Sequence, residues 1–190
     1  MRFKESMTFI KRFADSPRRI GSVAPSSKFL TNAMLDRVDW DNANYIAELG
    51  AGTGVFTREI VKRAKPDAKI LVFEIDPALQ KMIQEEHPEH KGLSLHSDAQ
   101  ELYRYMQDNE ISALDFVISS LPFTVLPPRV TVRILDAVVK CLKPEGHFVA
   151  YQYSSIMKHV LQKKFARIQT RFVLCNIPPA FVYDCFEAKK

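Results

Sequence analysis

Three alternating glycines and two carboxylates are the first residues in this 190-residue chain that could do chemistry. The run E-L-G-A-G-T-G occupies residues 48–54 after a short apolar segment, and Glu74 follows Gly54 at a distance of twenty residues. Glycines between a strand and a helix let a ligand approach the backbone closely. An acid at the end of the next strand can accept hydrogen bonds from both hydroxyls of a ribose.

The glycine spacing also bears on the kind of nucleoside that would bind. The pattern that binds a pyrophosphate is G-x-G-x-x-G. This chain instead has G-x-G-x-G, with Val55 after the third glycine. The spacing therefore disfavours a dinucleotide and favours a nucleoside without phosphate groups.

The elements that would position these residues alternate between strands and helices. The predicted strands are 45–49, 69–73, 93–96, 115–119, 146–151, 169–175 and 181–187. The predicted helices are 27–38, 55–64, 77–86, 99–107, 128–142 and 155–164. Only five residues, N-I-P-P-A, separate the last two predicted strands, which is too short for a crossover helix. The order predicts an α/β fold with a doubly wound sheet of seven strands, mostly parallel, and a C-terminal antiparallel hairpin.

Composition excludes several classes of protein. With 46% apolar and 26% charged residues the chain is expected to be globular, and no apolar run approaches the roughly 20 residues of a membrane span. Charges in the first residues, M-R-F-K-E, are unlike a secretory signal. The three cysteines form no C-x-x-C pair, so no metal site is predicted and a reducing, cytoplasmic setting is expected.

Charge is distributed unevenly along the chain. Residues 1–28 and 158–190 each contain seven basic and two acidic residues, whereas residues 29–157 contain 13 basic and 18 acidic residues. Basic ends favour a polyanionic partner, either an anionic membrane surface or RNA, although they could simply form a solubilising surface. Residues 2–14 predict a basic, phenylalanine-rich amphipathic helix that suits a bilayer interface, packing on the domain's own core, or stacking on RNA bases.

The glycine run followed by E-I-D-P at 74–77 resembles motifs I and II of the class I S-adenosylmethionine (SAM) methyltransferases. The resemblance implies a Rossmann-like fold with SAM as cofactor. The cofactor-binding residues that it implies are Ser22, Glu48, Gly50, Gly52, Gly54, Glu74, Ile75, Asp98, Ala99 and Ser119. In that set Glu48 approaches the methionine amino group, Glu74 the ribose, and Asp98 the adenine edge. Asp98 could equally be the N-cap of the helix that follows it.

The segment S-S-L-P-F at 119–123 bears on the methyl acceptor. Its L-P-F resembles the ribosomal RNA adenine dimethylases, but Ser120 stands where that family has Asn, and a hydroxyl offers less reach than an amide. The segments R-I-G-S-V-A-P-S-S (19–27), S-S-L-P (119–122) and N-I-P-P-A-F-V-Y (176–183) resemble the bacterial phospholipid N-methyltransferases. That resemblance spans nearly the whole chain, with Ser120 in place of the usual Gly.

These observations predict one SAM-dependent methyltransferase domain over residues 1–190, in which residues 1–28 form a basic amphipathic helix and a cofactor-capping segment. The phospholipid resemblance implies methylation of an amine head group, such as that of phosphatidylethanolamine, by a cytoplasmic enzyme peripheral to the inner membrane face. The implied substrate-binding residues are Ser120, Pro122, Phe123 and Tyr153. The proton acceptor stays open among Tyr153, His96 and Asp98. The alternatives are N6-methylation of ribosomal RNA adenine and a non-catalytic SAM-binding adaptor.

Overall fold

The structure is a computed structural model that describes residues 28–189. The strands are β1 (Tyr45–Leu49), β2 (Lys69–Phe73), β3 (Leu93–His96), β4 (Leu114–Ser119), β5 (Leu142–Gln152), β6 (Phe165–Val173) and β7 (Ala180–Ala188). The helices are α1 (Lys28–Leu35), α2 (Val55–Arg63), α3 (Pro77–Glu86), α4 (Leu102–Asp108), α5 (Pro128–Cys141) and α6 (Met157–Gln162), with a 3₁₀ turn at Ala99–Glu101. The predicted amphipathic helix, Ser22 and the capping segment lie outside the described residues, apart from Lys28.

One sheet contains all seven strands in the order β3-β2-β1-β4-β5-β7-β6. The first five are parallel, and β7 runs antiparallel to both β5 and β6. This confirms the predicted doubly wound sheet with its C-terminal hairpin. Because successive strands leave β1 in one direction and resume on its other side at β4, a crevice opens at the carboxyl ends of β1 and β4.

Two apolar layers hold the helices against the sheet. One contains Phe73 and Phe148 from the sheet with Leu135 of α5, and the other contains Ile46 of β1 with Met34 of α1. The central parallel strands are covered on both faces, which is why they read as continuous apolar runs rather than as alternating patterns. The sheet is thus a rigid platform whose carboxyl edge carries the loops.

Both strands of the C-terminal hairpin are longer than predicted. Strand β6 runs from Phe165 to Val173 and not over 169–175, and β7 runs from Ala180 to Ala188 and not over 181–187. Helix α6 ends at Gln162, not at Lys164. β6 lies at the edge of the sheet, and most of its side chains are exposed. Apolar alternation is therefore weak there, and pairing with β7 decides its length. Within residues 28–189, no helix combines the length and the apolar character needed to cross a bilayer.

Candidate active site

The loop after β1 exposes bare backbone. Gly50 has a φ of +79°, a conformation that favours glycine, and a Cβ there would lie 2.7 Å from Cδ2 of Leu121, so that side chain would have to move. Gly52 also has a positive φ, of +56°, but a Cβ there would meet nothing within 4 Å. The loop is therefore packed on one side at Gly50 and open at Gly52, where a ligand could approach the chain closely.

Glu74 holds this loop from the end of β2. Its Oε2 accepts a hydrogen bond from the Gly52 backbone N–H at 2.7 Å, and its Oε1 accepts one from the Asp76 N–H at 3.0 Å. The side chain is nearly buried, yet each carboxylate oxygen can accept a further hydrogen bond. The two motifs that the sequence suggested as ligand contacts thus touch each other, and Glu74 can still receive hydroxyl groups.

Glu48 is a fully buried carboxyl group at the end of β1. Its Oε2 accepts a hydrogen bond from the Thr57 hydroxyl at 2.7 Å, while its Oε1 has no hydrogen-bond partner among residues 28–189. Burial, reinforced by the negative charge of Glu74, raises the pKa of Glu48 to about 7, although the Thr57 hydrogen bond opposes the shift. Because buried polar atoms are normally paired, the orphaned oxygen is suited to receive a donor from a ligand, and a cationic donor best of all.

A cleft of about 790 Å³ opens beside these loops. Its lining residues come from the ends of β1, β2 and β3, from Leu121 and from α5. Five residues that the sequence suggested for cofactor binding line it: Gly50, Glu74, Ile75, Asp98 and Ala99. The volume falls in the range of small-molecule sites and suits a nucleoside-sized ligand.

Asp98 combines the two roles that the sequence left open. Its Oδ1 accepts a hydrogen bond from the Gln100 backbone N–H at 2.9 Å, which makes it the N-cap of the 3₁₀ turn. The Gln100 side-chain amide also lies 3.2 Å from Oδ2. Since Asp98 lines the cleft and carboxylate oxygens accept several hydrogen bonds, capping does not exclude a ligand contact.

The loop after β4 is tied directly to the glycine loop. The Ser120 backbone N–H donates to the Leu49 carbonyl at 2.9 Å, and the Ser119 hydroxyl accepts from the Leu121 N–H at 3.2 Å. The Gln152 side-chain amide donates to the Leu121 carbonyl at 2.8 Å. The Ser120 hydroxyl is buried and has no hydrogen-bond partner among the residues described. The structure therefore brings the predicted acceptor segment next to the predicted cofactor loop.

The remaining predicted substrate residues differ in accessibility. Phe123 is only 3% exposed, and its ring packs edge-to-face on Phe148 in the core, 6.2 Å between ring centres. Pro122 is half-buried, and its carbonyl accepts from the Val125 N–H at 3.0 Å. Tyr153 follows β5, is 43% exposed and contacts Tyr151 edge-to-face. Contact of all three with a substrate stays a prediction, and Tyr153 is the most accessible of them.

Sequence reasoning missed several residues of this site. Thr57 and Gln152 make their contacts across the fold, with Glu48 and with the Leu121 carbonyl, so no local pattern marks them. Arg129 and Arg133 of α5 also line the cleft, and they were not assigned to the site from the sequence. Their spacing places both side chains on one face of the helix, but the sequence could not show whether that face meets solvent or the cleft.

A family model described as a methyltransferase domain matches residues 46–146, and the chain belongs to this family. The match runs from β1 to β5 and so includes the glycine loop, Glu74 and the loop after β4. The chain is a methyltransferase that uses SAM as its methyl donor.

Similarity to individual proteins extends beyond residues 46–146. The chain is 29% identical over 189 residues to an ornithine lipid N-methyltransferase of Singulisphaera acidiphila, covering 98% of each chain. It is 22% identical over 151 residues to a ribosomal RNA small subunit methyltransferase A of Thermotoga neapolitana, covering 74% of this chain and 55% of the relative. The structure of a SAM-dependent O-methyltransferase from Thermotoga maritima superposes with a TM-score of 0.67 at 12% identity, covering 93% of this chain and 72% of that one. The last similarity shows the fold.

Three features of the site fit this cofactor. Glu48 has an orphaned buried oxygen for an ammonium group, Glu74 has free lone pairs for ribose hydroxyls, and Gly52 leaves open space beside the backbone. The cleft beyond them has room for the base. The residues present are thus chemically matched to an amino acid joined to a nucleoside without phosphates.

Proposed function

We propose that this enzyme methylates the primary amine of a membrane-lipid head group. The observation that carries the proposal is the similarity to an ornithine lipid N-methyltransferase along 98% of both chains. The similarity to the ribosomal RNA enzyme covers only 55% of that relative. Ornithine and ethanolamine both end in a primary amine, so either head group would present the same reactive nitrogen, and phosphatidylethanolamine is one of the two substrates that we propose.

The cofactor half of the site is assigned as follows. Glu74 accepts the ribose hydroxyls, Ile75 packs on the adenine, and Asp98 with Ala99 meets the adenine edge. Glu48 receives the methionine ammonium group on its orphaned oxygen. When bound there, SAM supplies an electrophilic methyl group on a sulfonium. We further propose that residues 1–28, including Ser22, complete and cap the site, and that the enzyme works at a membrane surface.

The glycine residues and the end of β4 complete the assignment. Gly50, Gly52 and Gly54 give the cofactor its close approach to the backbone, and Ser119 holds the loop through the Leu121 N–H. The Ser120 hydroxyl, buried and unpartnered, can donate to or accept from the acceptor amine. The Leu121 carbonyl already accepts from Gln152 and keeps a second lone pair for an amine N–H. Holding the nitrogen lone pair in line with the methyl group is the largest contribution these residues can make.

A proton must also leave the acceptor. A head-group amine titrates near 10, so only about one in a thousand is neutral at pH 7. Tyr153 follows β5, the strand next to β4. His96 is the last residue of β3 and Asp98 follows it. Strand β3 is three strands from β4 and therefore about 14 Å away at the usual strand spacing. The position of β5 favours Tyr153 among the three candidates, and its exposed hydroxyl oxygen could take the amine proton if it passes its own proton to water.

Transfer of label from SAM tests the proposal. The purified chain is incubated with phosphatidylethanolamine in detergent micelles, with ornithine lipid in the same micelles, or with ribosomal RNA. We expect label in a lipid fraction. Label in RNA alone would contradict methylation of a lipid and would indicate methylation of RNA adenine. SAM binding without transfer to any of these acceptors would favour a non-catalytic adaptor.

A further inference from the structure

Strongly exposed apolar side chains are concentrated in one part of the molecule. Of nine large apolar residues exposed by more than a third among residues 28–189, five lie in the loop after β5 or in the β6–β7 hairpin. We call these five the apolar rim: Tyr153, Ile156, Phe172, Leu174 and Ile177. The three most exposed of all nine, Ile177 at 79%, Leu174 at 70% and Ile156 at 68%, belong to the rim. A cluster of this kind on a protein surface indicates an interaction site.

The rim lies at the same edge of the sheet as the candidate active site. Gln152, the last residue of β5, pairs with Phe181 near the start of β7, so residues 174–179 project past the carboxyl ends of the parallel strands. The Tyr183 hydroxyl donates to the Ser154 carbonyl at 3.4 Å, which ties the loop after β5 to the hairpin. The rings of Phe172 and Phe181 lie 4.7 Å apart on the hairpin. The rim is therefore held together and borders the ends of β4 and β5.

The segment that carries the rim is basic. Residues 153–183 include five lysines and arginines and no aspartate or glutamate, although Lys164 is paired with Asp136 and Arg167 with Glu187. Two of these basic residues, Lys158 and Arg171, are exposed and flank the rim in sequence. Exposed apolar residues set among basic ones match the interface of a bilayer that contains anionic lipids, because apolar groups enter the head-group boundary while cations meet the phosphates.

We propose that the apolar rim docks this enzyme on a bilayer containing anionic lipids, with the tip of the β6–β7 hairpin entering the head-group region. This inference rests on the proposed function and names the surface that serves it. Docking at this edge would bring the end of β4 to the level of the head groups. A lipid amine could then reach Ser120 while the acyl chains stay in the membrane, which avoids exposing them to water.

The chain carries a natural labelling position for the test. Cys175 is exposed at the hairpin tip, whereas Cys141 and Cys185 are buried. An environment-sensitive fluorophore on Cys175 of the full chain is titrated with vesicles of phosphatidylethanolamine and phosphatidylglycerol. The control carries Cys175→Ser with Glu145→Cys, which moves the label to an exposed position near the start of β5, at the opposite edge. We expect a blue shift and a rise in intensity for the label at 175 and neither change for the label at 145.

Substitutions separate apolar insertion from charge. The double variant Leu174→Ser/Ile177→Ser should lower vesicle partitioning at least tenfold. Val132→Ser, which removes an apolar side chain 45% exposed on α5, should leave partitioning unchanged. Arg171→Glu and Lys158→Glu should each lower it about fivefold and weaken its salt dependence. SAM binding measured by calorimetry should be the same in all these variants, which establishes that they fold.

Three results would overturn the docking proposal. They are vesicle binding with no response of the label at 175, no vesicle binding at all, and a response of that label to ribosomal RNA instead of vesicles. The proposed function is tested separately, because detergent micelles supply the lipid substrate without a bilayer. An enzyme that methylates lipid in micelles but has a silent label at 175 contradicts only the docking surface, whereas absence of lipid methylation in micelles contradicts the function itself.

Discussion

The two sides of the sheet's carboxyl edge differ in how they are built. On the side of β1, β2 and β3, polar groups hold one another, as Glu74 holds Gly52 and Thr57 holds Glu48, around a defined cleft. On the side of β5, β6 and β7, the five apolar side chains of the rim are each exposed by more than a third. The donor side therefore has the directed polar groups that a small polar molecule needs for binding. The acceptor side has the character of a surface that another phase or molecule covers.

Under the proposed function, the two substrates are recognised by different physical means. A small charged cofactor is recognised by directed hydrogen bonds from buried groups, which need a rigid frame. A lipid is presented by its bilayer, so the protein needs a docking surface and only a few groups to align the reacting amine. The following predictions test the two sides separately.

The largest effect is expected from Glu74→Ala. Loss of the two proposed charge-assisted hydrogen bonds to ribose, together with the bond that holds Gly52, should weaken SAM binding roughly a thousandfold. Calorimetric titration with SAM measures this, and vesicle binding should be unaffected because Glu74 lies on the donor side. Normal SAM affinity in this variant would show that the donor site is elsewhere.

Glu48→Gln should change how stability depends on pH. In the unliganded wild type, the pKa of Glu48 is raised from 4.5 to about 7, so the folded state holds this proton more tightly than the unfolded state. Stability is thus lost as pH rises from about 4.5 to about 7, by up to about 3 kcal/mol, and glutamine removes that loss. Urea unfolding of both proteins at pH 5 and pH 8 measures the difference, which should favour the variant at pH 8.

The same substitution should act in the opposite direction on the cofactor. Glu48→Gln removes the anion that would attract the methionine ammonium group, so SAM affinity should fall although the free protein becomes more stable. Wild-type SAM affinity should also fall as pH drops below about 7, where Glu48 becomes protonated. If the variant gains stability and keeps full SAM affinity, Glu48 does not contact the cofactor.

Tyr153→Phe tests what Tyr153 contributes on the acceptor side. If Tyr153 takes the amine proton, kcat should fall about a hundredfold, because phenylalanine has no oxygen in that place, while SAM affinity stays constant. Methylation kinetics with micellar lipid give kcat and KM, and calorimetry gives the SAM affinity. A rise in KM at constant kcat would instead assign Tyr153 to lipid contact alone.

The smallest effect is expected from Gly52→Ala, with Gly54→Ala as its matched comparison. Both positions have positive φ, so each substitution should cost about 1 to 2 kcal/mol of stability. Only at Gly52 does the added methyl group enter open space, whereas at Gly54 it meets Ile83 at 3.2 Å. We expect about a tenfold loss of SAM affinity for Gly52→Ala and a smaller loss for Gly54→Ala, measured by calorimetry. Equal losses would indicate that loop strain, and not occupied space, is responsible.

Sequence patterns predicted the donor side better than the acceptor side. The bounds predicted for β1, β2, β3 and α3 agree with the structure, because buried parallel strands give continuous apolar runs and Asp76-Pro77 marks a helix start. The helix predicted over 99–107 begins instead with a 3₁₀ turn. At the exposed edge, β6 starts four residues earlier than predicted, since its outward side chains carry no apolar alternation.

By itself, the sequence determined the order of strands and helices, the glycine loop and its acid, and with them the class of enzyme and its methyl donor. These depend on neighbours along the chain, where backbone conformation and burial leave local patterns. Only the tertiary structure decided that Thr57 and Gln152 serve the site, that a polar face of α5 walls the cleft, and that exposed apolar residues of two distant segments form one rim. Such features arise from contacts between residues far apart in sequence, and a local pattern cannot encode which surfaces meet.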